Sequence, residues 1–252
     1  MVSLQIVLLA ILCALASAKR GCRCGDVSFL AIPRVNITTP QQVKPCIPYK
    51  LLDARGSGKP QSVSLMFQTA IERLLANNTD AAYQSIVYPA GFAQNTTSGV
   101  QNTVDLINYG LKDCPGQKYF LFGYSQGATV VLEAIKELGD EAVASVESVV
   151  LVGNPYRIPG RRGNVDDYGR RDNRTVYGLF AEQERGGHES ASALMYSDEF
   201  DRSGKVVDVC LEDDVVCAAD AGCDCQLASD HLSYGLLLTV QDLIFDHVVS
   251  RF

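Results

Sequence analysis

The chain has 252 residues, of which 29 are acidic, 22 are basic and 47% are hydrophobic, and its formal net charge is −7. An acidic chain of this kind offers no basic face for a phosphate backbone, so a nucleic-acid partner is not expected. The length suits one domain built around a single hydrophobic core.

The N-terminus resembles an export signal. The stretch VSLQIVLLAILCALASA is short and apolar and ends in the small residues Ala-Ser-Ala, which is typical of a signal-peptidase site. It is short for a membrane span, which makes an uncleaved anchor the weaker interpretation. We therefore predict a signal peptide at 1–18, an N-terminal extension at 19–45 and a domain at 46–252. No later stretch is long and apolar enough to cross a bilayer, so we expect an exported protein.

Cysteine content agrees with export. Of the nine cysteines, Cys13 lies in the predicted signal, which leaves an even number in an oxidising compartment and predicts four disulfides. A zinc site is the alternative for the two C-x-C pairs, but their spacing differs from the usual C-x-x-C. The remaining cysteines are Cys22, Cys24, Cys46, Cys114, Cys210, Cys217, Cys223 and Cys225. Sequons compatible with glycosylation occur at Asn36, Asn77, Asn95 and Asn173.

Apolar strand-like runs alternate with amphipathic helix-like runs along the chain. The predicted strands are Tyr49–Ala54, Ser85–Tyr88, Lys118–Phe122, Val146–Val152 and Val206–Cys210. The predicted helices are Ser62–Ala76, Gly99–Leu111, Gln126–Leu138 and Ser233–Val249. This alternation predicts an α/β domain with a mostly parallel sheet covered on both faces. Residues 154–205 break the pattern and predict a long irregular insertion, either functional or a plain surface loop.

The stretch FLFGYSQGATVVLEAI places a serine where a predicted strand turns into a predicted helix. Ser125 is bracketed by Gly123 and Gly127, as in the G-x-S-x-G nucleophile elbow. The turn must be sharp to expose the hydroxyl, and a Cβ two residues before or after would meet the neighbouring strand or helix. The pattern therefore predicts a serine nucleophile at the carboxyl end of a strand, where ligands gather in open α/β sheets.

A serine nucleophile needs a base, and three histidines are present. His247 lies within a predicted helix and His188 within the irregular insertion. His231, in ASDHLSYG, precedes the last helix, where a short loop can return to the edge of the sheet. We therefore predict His231 as the base, because the order in α/β-hydrolases is nucleophile, acid, histidine.

The acid is expected between Ser125 and His231. Asp214 lies between Cys210 and Cys217 in CLEDDVVC, where a disulfide would hold one carboxylate rigidly, and a rigid acid keeps the imidazole in the correct tautomer. Its rivals among the carboxylates of this region are Asp213, Asp208, Asp224 and Asp230.

Donors for an oxyanion can also be assigned. The backbone N–H of Gln126 follows the nucleophile at the start of a helix. A second donor is expected after an early strand, where ARGSGK offers Ser57, although the same letters also suit a plain Gly-rich turn.

Together these residues resemble the cutinase family of secreted serine esterases. The matching motifs, in the family's order, are DARGS (53–57), VYPAGF (87–92), GYSQGA (123–128), CLEDDVVC (210–217) and DHLSYG (230–235). The resemblance implies an α/β-hydrolase fold with a central five-stranded sheet, no true lid and an exposed active site. It implies a triad of Ser125, Asp214 and His231, with Ser57 and Gln126 forming the oxyanion hole.

The resemblance also implies two disulfides, Cys46–Cys114 and Cys210–Cys217. The other four cysteines are additional, and cross-links between the pair Cys22/Cys24 and the pair Cys223/Cys225 are expected, because a C-x-C pair closes on itself only with strain. The segment 154–205 looks longer than in the family and can cover or reshape the cleft.

The implied activity is hydrolysis of carboxylic esters by a monomer, through an acyl-enzyme and without a metal or organic cofactor. Tyr124 and Leu232, beside the nucleophile and the base, are candidates for contact with the acyl chain or for packing. The motifs ARGS and His-Leu-x-Tyr favour aliphatic, cutin-like esters. Acetylated xylan is the alternative substrate, because acetylxylan esterases share GYSQG, and a non-catalytic secreted binding protein is the second alternative.

Overall fold

A computed structural model describes residues 46–186, 194, 196–219 and 229–252. Several predicted features lie outside these residues: the signal peptide, the N-terminal extension, Asn36, His188, Asp224, and the cysteines Cys22, Cys24, Cys223 and Cys225.

In this part of the chain, six strands form one parallel sheet in the order β2-β1-β3-β4-β6-β5. They are β1 (Tyr49–Ala54), β2 (Ala81–Ser85), β3 (Lys118–Tyr124), β4 (Val146–Val152), β5 (Asn164–Val165) and β6 (Val206–Val209). The expected count of five was too low by one. The additional strand, β5, has only two residues and lies inside the insertion, where no apolar run marks it.

Helices cover both faces of this sheet. They are α1 (Gln68–Asn77), α2 (Thr97–Asp113), α3 (Gln126–Glu137), α4 (Asp140–Ser145), α5 (Leu179–Gly186), α6 (Asp198–Arg202) and α7 (Leu238–Val249). A single 3₁₀ turn, Ser229–Leu232, precedes α7.

The two faces explain why the strands read as nearly continuous apolar runs. In β1, Leu51 packs in the core formed by α1 and α7, whereas the next residue, Leu52, packs in the core formed by α2 and α3. Side chains alternate across a strand, so a sheet buried on both faces needs apolar residues at successive positions. The same alternation carries Phe120 and Leu121 of β3 into opposite cores.

Strand β2 differs from its prediction in position. It was predicted at Ser85–Tyr88 but spans Ala81–Ser85, and all five of its residues are only half-buried because it is the edge strand. The apolar residues that suggested the strand follow it: Ile86 is buried in the core and its N–H donates to the carbonyl of Asp53. An edge strand packs against one neighbour only, so its apolar signal is weak.

Two predicted helices begin later than expected. The first begins at Gln68 rather than Ser62. The N–H of Ser64 donates to the carboxylate of Asp53 at 2.6 Å, and this bond holds the residues before Gln68 in a turn. The last begins at Leu238 rather than Ser233.

The described part of the insertion contains more secondary structure than its composition suggests. It contributes β5, α5 and α6, and the side chain of Arg157 is among the largest fully buried side chains of the protein. Its guanidinium donates to Asp172 at 2.7 Å. Strand β5 pairs with β6, and Nε of Arg157 lies 3.7 Å from Oδ1 of Asp208 in β6, so this segment is anchored to the sheet.

A disulfide and three exposed sequons agree with the expectation of an exported protein. Cys46 is bonded to Cys114, which joins the residues before β1 to the end of α2. The sequon residues Asn77, Asn95 and Asn173 are exposed. Among the helices described, none has the length and apolar character needed to cross a bilayer.

Candidate active site

Ser125 forms a sharp turn between β3 and α3. Its φ is +53° and its ψ is −121°, a conformation that residues with a side chain rarely adopt and that projects Oγ away from the sheet. A Cβ at Gly123 would lie 2.7 Å from Cα of Ala128, and one at Gly127 would overlap the carbonyl oxygen of Ala54. The two glycines therefore allow the strand and helix to approach closely, as the elbow pattern predicts.

Three side chains that are far apart in the sequence meet at this turn. Nε2 of His231 lies 2.9 Å from Ser125 Oγ, and Nδ1 of the same ring lies 2.9 Å and 3.0 Å from the two carboxylate oxygens of Asp214. His231 and Asp214 are buried. The structure thus brings together the predicted nucleophile, base and acid in hydrogen-bonded order.

Three hydrogen bonds surround the Asp214 carboxylate. It accepts from His231, from the hydroxyl of Tyr234 at 2.5 Å, and from the N–H of Val216 at 2.8 Å. Burial raises the pKa of Asp214, but His231, Tyr234 and Val216 more than offset this and hold the pKa below its ordinary value of 3.8. Asp214 is therefore ionised at neutral pH although it is fully buried.

The short loop that carries Asp214 is closed by the Cys210–Cys217 disulfide. The rival acids in the described part of the chain lie elsewhere. Asp213 is exposed and its N–H donates to Asp230, while Asp208 is buried against Asn154, 2.8 Å from its amide nitrogen.

His247 does not reach this site. It is partly buried in α7 beside the carbonyl of Lys205, and burial lowers its pKa to about 4.

The imidazole is held from two further sides. The ring of Tyr124 lies 5.1 Å from that of His231, and its hydroxyl donates to the His231 carbonyl at 2.9 Å. Tyr124, a candidate either for substrate contact or for packing, is 2% exposed and packs against His231. Gly153, with φ +58°, also lies against the ring, since a Cβ there would lie 2.7 Å from the imidazole. Leu232 is partly exposed and stays a candidate for substrate contact.

The predicted oxyanion residues lie side by side. The hydroxyl of Ser57 donates to Oε1 of Gln126 at 3.1 Å and accepts from the amide of Gln94 at 2.9 Å. The preceding residue, Gly56, packs against the nucleophile, since a Cβ there would lie 3.3 Å from Cβ of Ser125. The loop after β1 therefore faces the elbow.

Sequence reasoning missed three residues of this site: Tyr234, Gly153 and Gln94. Tyr234 lies within the DHLSYG motif, so its position in the motif was an available signal. Gly153 and Gln94 carried no comparable signal. Gly153 follows β4 directly, and Gln94 adopts φ +58° in a loop whose path only the folded chain defines.

A family model described as Cutinase matches residues 45–251. The cutinase of Hypocrea jecorina (strain QM6a) is 32% identical over 119 residues, covering 44% of this chain and 48% of that protein. Cutinase cut1 of Trichoderma harzianum is 31% identical over 139 residues, covering 52% and 55%. The chain thus spans about half the length of these curated relatives.

Solved structures of other proteins share the fold of this chain. A cutinase-like protein from Cryptococcus sp. superimposes with a TM-score of 0.70 at 32% identity, covering 82% of this chain and 96% of that one. The catalytic core domain of an acetyl xylan esterase from Trichoderma reesei gives a TM-score of 0.62 at 20% identity, covering 82% and 100%, and shares the fold. The family model spans nearly the whole described part of the chain, and the Ser-His-Asp geometry accompanies it. This chain belongs to the cutinase family.

Proposed function

We propose that this protein is an exported serine esterase that hydrolyses carboxylic esters through an acyl-enzyme. The observation that carries the proposal is the hydrogen-bonded series from Ser125 Oγ through His231 to Asp214, with 2.9 Å at each of its two shortest links. Membership of the cutinase family supports the same reaction class.

The first half of the reaction acylates Ser125. Its Oγ attacks the ester carbonyl carbon while its proton passes to Nε2 of His231, and the imidazolium is stabilised by Asp214. The carbonyl electron pair moves to oxygen, which accepts hydrogen bonds from the N–H of Gln126 and from Ser57. In the free protein the Ser57 hydroxyl donates to a neutral amide oxygen, an acceptor that an oxyanion can replace.

The oxyanion then collapses and the C–O bond to the alcohol breaks. The alcohol leaves with the proton of His231, and the acyl group stays on Ser125 as an ester. Water attacks this ester while giving a proton to His231, which returns it to Ser125 as the carboxylic acid leaves.

Apolar side chains beside the site favour an aliphatic, cutin-like ester. Phe92 is 79% exposed, and its ring packs over Gly58 in the loop that carries Ser57. Leu232 follows the base and is partly exposed. An apolar rim of this kind binds a hydrocarbon acyl chain better than a hydroxyl-rich sugar. We further propose that the protein acts as a monomer and is glycosylated at exposed sequons.

A substrate panel tests this function. The exported protein would be assayed on p-nitrophenyl acetate, butyrate and longer esters, then on cutin and acetylated xylan, beside Ser125→Ala. We expect hydrolysis of aliphatic esters and release of monomers from cutin, with a loss of about 10³-fold or more in Ser125→Ala.

Release of acetate from xylan without action on cutin would overturn the substrate assignment and favour the acetylxylan esterase alternative. Labelling by an organophosphate addresses the reaction class itself. We expect covalent labelling of the wild type at Ser125 and none in Ser125→Ala. Absence of labelling in folded, oxidised wild-type protein would favour a non-catalytic binding protein.

A further inference from the structure

The side chain of Arg174, in the insertion, reaches the loop that carries Asp214. Its Nη2 donates to the carbonyl of Cys210 at 2.8 Å, and its Nη1 donates to those of Leu211 and Glu212 at 3.2 Å and 3.1 Å. These residues connect the end of β6 to the acid. One side chain therefore binds three consecutive carbonyls of that connection.

The connection needs such a partner because it leaves the sheet. Strand β6 ends at Val209, and the carbonyls beyond it are outside the ladder formed with β4. Arginine suits the task, since its planar guanidinium carries five N–H donors in a fixed arrangement, whereas lysine presents one nitrogen.

Arg174 is itself held by a buried carboxylate. Asp172 accepts from Nε of Arg174 at 2.9 Å and from Nη2 at 2.6 Å, and the buried Arg157 donates to the same carboxylate at 2.7 Å. Burial alone raises the pKa of Asp172, but the bonds to Arg174 and the charge of Arg157 bring it below its ordinary value. The acceptor is thus anionic at neutral pH and fixes the guanidinium in place.

The disulfide does not duplicate this contact. Cys210–Cys217 joins the two ends of the loop. The N–H of Val216 binds the Asp214 carboxylate from the second half of the loop, whereas Arg174 binds the backbone of the first half. Each half therefore has its own restraint.

From these contacts we infer that Arg174 is a positioning residue for the acid of the triad. It fixes the backbone of Cys210–Glu212 and thereby the direction in which Asp214 meets His231. The inference rests on the proposed esterase function. It assigns the insertion a role as a support of the loop that carries Asp214.

The test compares kinetic constants for a short p-nitrophenyl ester. Arg174→Met removes the donors, and Arg174→Lys keeps a cation for Asp172 but cannot span three carbonyls. Arg170→Met is the matched control, because Arg170 lies in the same segment, is exposed and pairs with Asp166. We expect kcat to fall about 10- to 100-fold in Arg174→Met and less in Arg174→Lys, with KM within about twofold of wild type. Arg170→Met should match the wild type.

A double-mutant cycle separates positioning from a general loss of structure. If Arg174 acts through Asp214, the double variant Asp214→Asn/Arg174→Met should have a kcat less than about twofold below that of Asp214→Asn alone. Multiplicative losses would contradict the inference. A wild-type kcat in folded Arg174→Lys would also contradict the inference. This variant provides the test if Arg174→Met does not fold.

A proton NMR readout is independent of turnover. The Nδ1 proton of His231 shared with Asp214 should give a resonance far downfield in the wild type and in Arg170→Met, and it should be shifted or broadened in Arg174→Lys. An unchanged resonance would overturn the positioning role. If the wild type hydrolyses no ester while this resonance still depends on Arg174, the proposed function fails and the structural role of Arg174 stands.

Discussion

At the scale of single residues, Tyr234 shows how a buried acid is kept ionised. Its hydroxyl is fully buried, donates to Asp214 and accepts from the N–H of Leu211 at 3.3 Å. Burial and the neighbouring carboxylate raise the pKa of Tyr234 well above its ordinary value, so it remains a neutral donor. A carboxylate with several donors is stabilised in its charged form, which is the form that orients an imidazolium.

We predict that Tyr234→Phe lowers kcat by roughly 10- to 150-fold, because a hydrogen bond to a charged group contributes about 1.5–3 kcal/mol. KM should change little, since the hydroxyl faces the acid and not the cleft. Tyr119→Phe is the matched control: Tyr119 is equally buried, and its hydroxyl bonds to Gln117, away from the site. Steady-state kinetics of the two variants check this, and equal losses of kcat would contradict it.

At the scale of elements, the site depends on how closely α3 approaches β1. Gly127 lies in the first turn of α3, directly beneath the carbonyls of Ala54 and Arg55 at the end of β1. This contact brings the start of the helix, with the N–H of Gln126, next to the loop that carries Ser57. The packing of one helix on one strand therefore sets the geometry of the proposed oxyanion hole.

Gly127→Ala should destabilise the protein. Helix propensity alone predicts stabilisation by up to about 1 kcal/mol, but the added Cβ overlaps backbone atoms, and overpacking typically costs about 1–3 kcal/mol. Gly139→Ala is the control, because a Cβ at Gly139 would meet no atom within 4 Å and its φ is an ordinary −72°. Urea unfolding measures both, and a Gly127→Ala variant more stable than wild type would contradict the contact.

Also at the scale of elements, the insertion differs from the plain loop that its sequence suggests. Its Gly, Arg, Asp and Asn content suggests a loop, yet it contains buried charges: Arg157 pairs with Asp172 within the insertion and lies 3.7 Å from Asp208 of β6. Charged residues are rarely buried unless they are paired, and the hydrophobic pattern of a sequence does not reveal which charges pair.

At the scale of the whole molecule, buried acids outside the triad make stability depend on pH. Burial raises the pKa of Asp53 from 3.8 to about 7 and that of Asp208 to about 6. Between pH 4 and these values the folded protein holds protons that the unfolded chain has released. Stability from these two groups therefore falls as pH rises from about 4 to about 7, the opposite of the effect of Asp214 and Asp172, whose pKa values are lowered.

Asp53→Asn should reduce this dependence. The decrease in the free energy of unfolding from pH 5 to pH 8 should be smaller in the variant than in the wild type, because the amide does not titrate. Asp242→Asn, at an exposed carboxylate paired with Arg73, should leave the dependence unchanged. Urea titrations at both pH values check this, and parallel curves for wild type and Asp53→Asn would contradict the buried ionisation.

Local chemistry made much of the molecule predictable. The bounds of β1 and β4 were predicted to the residue, because each strand contains a buried apolar stretch: Leu51-Leu52 in β1 and Val149–Val152 in β4. The turn at Ser125 was predictable because only small residues fit beside it, and the loop of Asp214 because two cysteines mark it. Edge strand β2, with half-buried residues, gave a weaker pattern and was misplaced.

The amino-acid sequence by itself determined the fold class, the elbow and the identity of the three side chains that meet there. Only the tertiary structure decided that Tyr124 bonds to the His231 carbonyl, that Gln94 bonds to Ser57, and that Arg174 binds the loop of Asp214. The physical reason is distance along the chain: periodicity and turn chemistry act between near neighbours. Contacts between residues tens of positions apart exist only once the strands are paired and the helices are packed.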